Sequence, residues 1–195
     1  MGDQLHEKLR YKLKLIFDAD QFMDDLQFDI LEEDNSIMEL SGQLAGAYCM
    51  EQNYILDVEV VALNSMDNVS HIELVDLTLV CKPAIGAQQT DLSPYQSNSA
   101  GCTKCKWIVN ESQNIDILDE DNSLESPSGP LQMTATTFTL ADPFVLSSAG
   151  SWEIAGYLSA KLTQTVSAPG QPAGPVCRVY VFDPIVVVRG GGGTP

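Results

Sequence analysis

Two cysteines stand three apart, Cys102 and Cys105, in the stretch AGCTKCKWI (100–108). That spacing serves metal clips and redox pairs. A structural zinc site is commonly completed by a second such pair or by two histidines. This chain has five cysteines, three of them scattered, and its two histidines, His6 and His71, lie far apart. A thioredoxin-like pair opens a helix in a βαβ setting, whereas KCKWI has the look of a strand. Reduced cysteine is also a small hydrophobe that buries readily. We therefore expect core or free thiols, with Cys105 pointing inward, rather than a metal centre or a disulfide. No cofactor and no metal ion is expected. An odd cysteine count leaves at least one unpaired, which suits a reducing compartment.

The second chemical candidate is acidic and occurs twice, as DILEEDNS (29–36) and DILDEDNS (116–123). Asp119, Asp121, Ser123 and Glu125 alternate as oxygen ligands of calcium often do. The EF-hand pattern fails, because Leu124 stands where glycine is needed and Pro130 where the bidentate glutamate belongs. The first copy keeps Glu32, Asp34 and Ser36 but then has Met38. Asp, Asn and Ser also favour turns, since their side chains bond nearby backbone. The expected structure is a hairpin tipped by Asp34-Asn35-Ser36 and, in the second copy, by Asp121-Asn122-Ser123. Calcium is the alternative.

An enzyme is not expected. Neither histidine has a nucleophile partner in sequence, and GGGG (190–193) precedes Thr-Pro rather than a helix, so it cradles no phosphate. Trp107 and Trp152 read as core residues rather than a sugar platform.

The elements that must position these residues come from a repeat. Residues 28–44 align without gaps on 115–131, with ten of seventeen positions identical. KLKLIFD (12–18) answers KCKWIVN (104–110), YILDVEVVAL (54–63) answers WEIAGYLSAK (152–161), and HIELVDLTLVCK (71–82) answers RVYVFDPIVVVR (178–189). The organisation read from this is a first β-sandwich repeat over 1–83, a linker or long loop over 84–101, a second repeat over 102–189, and a glycine-rich tail over 190–195.

Each copy reads as β. Leu9, Tyr11, Leu13 and Leu15 alternate with cations over 8–15, and Leu26, Phe28 and Ile30 alternate likewise. Pro184 predicts an edge position or a bulge. The fold class is all-β, an internally duplicated β-sandwich. AGSWEIAGYLSAKL (149–162) followed by CRVYVFDPIVVV (177–188) resembles the last strands of immunoglobulin-like modules in phage structural and bacterial surface proteins. The resemblance implies two immunoglobulin-like modules; the alternative is one larger jelly-roll sandwich built from both copies.

Charge bounds the partners. The chain of 195 residues carries −17, so nucleic acid is a poor partner. Lys8, Arg10, Lys12 and Lys14 against Asp3 and Glu7 give the first fourteen residues +2, leaving −19 for the rest. Such a cationic edge on an acidic body can steer copies head to tail, and these four residues are the expected partner contacts. The plainer reading is a solvated strand face. No run of 18 apolar residues is present, so membrane insertion is not expected. MGDQLHEKLRYK has no signal-type apolar run, so cytoplasmic synthesis is expected. Together these readings point to a non-enzymatic assembly protein forming a homo-oligomer or larger assembly. The concrete version is a virion component, a phage capsid decoration, cement or tail protein. The alternative is a carbohydrate- or receptor-binding module, calcium-stiffened, using Tyr95, Trp152, Tyr157 and Tyr180.

Overall fold

The computed structural model describes residues 10–21, 24–32, 35–36, 47–65, 69–84, 94–96, 106–117, 131–164 and 174–189. All regular elements among them are strands. In chain order these are β1 (Arg10–Asp18), β2 (Gln27–Glu32), β3 (Asn35–Ser36), β4 (Ala47–Glu51), β5 (Ile55–Ser65), β6 (Val69–Pro83) and β7 (Tyr95–Gln96). There follow β8 (Trp107–Ile117), β9 (Leu131–Leu140), β10 (Phe144–Leu146), β11 (Gly150–Gln164), β12 (Pro175–Phe182) and β13 (Ile185–Arg189).

β1 shows why the chain chooses strands. Tyr11, Leu13, Leu15 and Phe17 are all buried, while the residues between them are not. That period of two is the signature of a half-buried strand.

Two mixed sheets result. The first runs β3-β2-β1-β5, and the far side of β5 is shared by β10 at one end and β9 at the other. β7 lies beyond β10, and β8 beyond β9. In the second, β11 is flanked on one side by β6 and on the other by β12 and β13 in line, with β4 beyond β13. Two pairs are parallel, β1 with β5 and β13 with β4.

The inner faces pack into one core in a sandwich-like arrangement. Phe17 of β1 meets Tyr180 of β12 with ring centroids 4.4 Å apart, and Phe28 of β2 meets Phe182 at 5.7 Å. Burying such aromatic and aliphatic side chains stabilises each by about 1.5–3 kcal/mol.

The hydrogen bonding does not meet the expectation of two separate modules. β6 pairs with β11 from Pro83↔Trp152 to Val69↔Gln164, and β5 pairs with β9, so strands of 1–83 and of 102–189 share both sheets. β5 and β11, which the sequence repeat aligns, have non-equivalent surroundings. β5 lies between a parallel β1 and antiparallel β9 and β10, whereas all neighbours of β11 are antiparallel. Within the segment read as a linker, β7 joins the first sheet and Tyr95 packs on Phe144 at 5.3 Å.

One flank is closed by the chain between β1 and β2. Leu26 N–H donates to the Val181 carbonyl (2.9 Å), and Val181 N–H donates to that of Asp24 (2.7 Å), fastening this segment to β12 of the other sheet. Arg178 completes the fastening. Its guanidinium donates to the carbonyls of Ala19 and Gln21, pairs with Asp24 at 3.5 Å and lies over the Tyr180 ring.

Candidate interaction surface

Three of the four expected contact residues, Arg10, Lys12 and Lys14, fall on β1, which is an interior strand between β2 and β5 rather than a sheet edge. Lys8 lies outside the described residues. Arg10 holds Asp57 through two hydrogen bonds, of 2.8 and 3.1 Å, and Lys12 pairs with Glu59 at 3.3 Å. Lys14 stands in register with Asp29 on β2 and Glu59 on β5. The parallel register is the cause: it sets each β1 cation beside a β5 acid on the same outer face. Among the described residues of the cationic stripe, Arg10 and Lys12 are already paired with acids of their own sheet.

The first acidic stretch pairs with itself as β2 and β3. Leu31 and Glu32 pair with Ser36 and Asn35, so Asn35 and Ser36 form the return strand rather than the tip. Asp34 and the second tip at Asp121-Asn122-Ser123 lie outside the described residues, as do Asp119 and Glu125. Cys102 and Cys105 do too. Of the other cysteines, Cys81 packs against the core, Cys49 is half-buried and Cys177 is exposed. Burial pushes the Cys49 thiol above its ordinary range.

Three of the four aromatic residues offered as a binding platform do not serve as one. Trp152 and Tyr180 are fully buried, and Tyr95 is packed against the core; Tyr157 is exposed. Burial also raises the pKa of Tyr11, Tyr95 and Tyr180 above the ordinary phenol value. The folded protein thus keeps these protons when the unfolded chain releases them. The associated stability is complete below about pH 10 and is lost as pH rises beyond it. The urea midpoint is expected to fall between pH 9 and pH 11. Tyr180→Phe should reduce that fall, because it removes one of the three phenols whose ionisation burial displaces. An unchanged slope in the variant would remove Tyr180 from the account.

The surface that sequence reasoning missed is the outer face of the second sheet. Along β11, Trp152, Ile154, Leu158 and Leu162 point into the core. Glu153, Ala155, Tyr157, Ser159 and Lys161 therefore point out. Beside them Val80 on β6 is 53% exposed, Val179 on β12 48%, and Tyr157 itself 41%. Val181 and Ile185 are also exposed. Exposed large apolar side chains are ordinary singly, but grouped on one face they mark an interaction site. The signal was present in RVYVFDPIVVV, which is apolar at successive positions instead of alternating. Such runs belong to strands covered on both faces, and here one face is open.

Asp183-Pro184 shapes this surface. Proline lacks an N–H, so the ladder breaks between β12 and β13, and only the Pro184 carbonyl reaches Ile154 N–H (3.0 Å). The break leaves a shallow depression of about 350 Å³ bordered by Val80, Ala155, Ile185, Asp183 and the Lys82–Glu153 ion pair of 2.6 Å.

No protein-family model matches the chain, and no curated protein matches it significantly. Among solved structures it is similar to the crystal structure of an inclusion body protein, PixA, from Burkholderia cenocepacia. The match covers 96% of this chain and 100% of that one, at 9% identity and a TM-score of 0.33. A score that low carries no argument about fold or function. No helix among the described residues is long and apolar enough to cross a membrane.

Proposed function

We propose that this protein is a non-enzymatic structural assembly protein that works by docking β-sheet surfaces. The observation that carries the reading is the grouping of Val80, Tyr157, Val179, Val181 and Ile185 on one solvent-facing sheet. An apolar face of this kind is stabilised when a partner covers it. The concrete form is a virion component, a capsid decoration, cement or tail protein. It rests on the resemblance of 149–162 and 177–188 to immunoglobulin-like modules of phage structural and bacterial surface proteins. The outer face of the second sheet takes precedence over Arg10 and Lys12 as the contact, because those two cations already have acidic neighbours.

The test is native mass spectrometry of protein purified without reductant, followed by its denatured mass. A defined oligomer of fully reduced, metal-free chains is expected. A monomer carrying calcium or zinc, or lighter by two hydrogens per disulfide, would transfer the reading to a binding module.

A further inference from the structure

The charges bordering the apolar face form a pattern that a second copy of this chain would match throughout. The pattern is read from the register about Tyr157, which stands opposite Thr78 on β6 and Val181 on β12. Four residues before it, Glu153 on β11 is paired with Lys82 on β6 at 2.6 Å. Four residues after it, Lys161 on β11 is paired with Glu73 on β6 at 3.4 Å. The Val75 bulge in β6, marked by the register shift between Ser159 and Ala160, keeps Glu73 in line with Lys161. Both ion pairs are open to solvent, with side chains between 33% and 68% exposed. Each lies about 13 Å from Tyr157 along the strand, at roughly 3.3 Å per residue.

The two ends thus carry opposite signs on both strands. β11 is negative before Tyr157 and positive after it, and β6 is positive and then negative. We infer that two copies associate face to face through this sheet, related by a two-fold axis that passes by Tyr157 at right angles to β11. This rests on the assembly reading above. Such an axis keeps β11 over β11 and β6 over β6 while reversing their direction. Glu153 then meets Lys161 of the other copy, and Lys82 meets Glu73, each twice by symmetry, as an isologous interface requires. At the centre Tyr157 faces Tyr157 and Val181 faces Val181, which supplies the apolar core of the contact. Aligned sheet packing tolerates this antiparallel stacking. The net charge of −17 opposes self-association elsewhere. On this face the four bordering charges cancel, and Asp76 and Asp183 make no ion pair among the described residues. Charge complementarity of this kind fixes orientation and register more than it sets affinity.

Two single reversals test the register by sedimentation velocity over a concentration series. In Lys161→Glu the facing pair becomes acid on acid. In Glu153→Lys it becomes base on base. Each variant alone is expected to self-associate at least about tenfold more weakly than the parent, since like-charge juxtaposition is strongly unfavourable. Mixed together, the two variants regain both facing pairs, so heterodimers should form with nearly the parental affinity. Tyr157→Lys, which touches neither ion pair, should also abolish association, and it stands in if a charge variant loses its melting transition. Parental association retained in the single variants, or no recovery on mixing, overturns the face while the assembly reading survives on another surface. A parent that stays monomeric at every concentration overturns both.

Discussion

Replacing Gly156 by alanine should lower stability by about 3 kcal/mol, the upper part of the usual range for overpacking a core, or roughly 6–12 °C in Tm for a chain of this size. The cause is local. Gly156 lies on the inner face of β11 directly opposite Phe182 of β12, and the Phe182 ring lies over it. A methyl group at 156 would overlap that ring. The ring has little room to move aside, because it also packs against Phe28 of the other sheet at 5.7 Å. Backbone freedom is not the issue here; the space is. The check is a double-mutant cycle by urea denaturation. Phe182→Ala alone should cost about 3–5 kcal/mol through the cavity it leaves. Combined with Gly156→Ala, the loss should be smaller than the sum by about 1–3 kcal/mol, since the methyl enters the vacated space. Strict additivity would show that the two positions do not compete for the same volume.

Gly156 also shows how far the sequence could be read. Alternation along Tyr11 to Phe17 was legible because one face of β1 is buried and the other is not; in β2 only Ile30 is fully buried, with Phe28 half-buried. The same reasoning called for strands over 152–161 and 178–188, which became β11, β12 and β13. Partner choice was not legible. Pairing depends on which non-local strands approach, and a repeat in sequence does not enforce it. β6 and the β12–β13 line, matched by the repeat, both flank β11. The surroundings of the expected contact residues were not legible for a related reason. Arg10 and Lys12 look like a free cationic stripe until the parallel register with β5 sets Asp57 and Glu59 beside them. Conversely, Glu153 and Lys161 look ordinary until the sheet gives them Lys82 and Glu73 as neighbours.

Truncating Trp152 to alanine should cost about 3–5 kcal/mol, as large-to-small changes at fully buried aromatic sites do, and the whole molecule should feel it. Trp152 has no exposed surface and stands between Pro83 of β6 and Val186 of β13, so it joins strands from both halves of the sequence. Two independent modules would confine the damage to 102–189. Shared sheets do not allow that, because β6 is hydrogen-bonded along β11 and β4 along β13. A single transition is therefore expected in the parent and in the variant, with fluorescence and far-ultraviolet dichroism coincident and the midpoint lowered. Amide exchange should accelerate in β6 as well as in β11. Trp152→Phe provides the contrast. It keeps most of the ring and removes an indole N–H that has no hydrogen-bond partner among the described residues. Losing an unsatisfied donor offsets part of the lost packing, so the cost should be nearer 1 kcal/mol. Two separated transitions, or protection lost in β11 alone, would restore the two-module description; one coincident transition ties both halves to a single core.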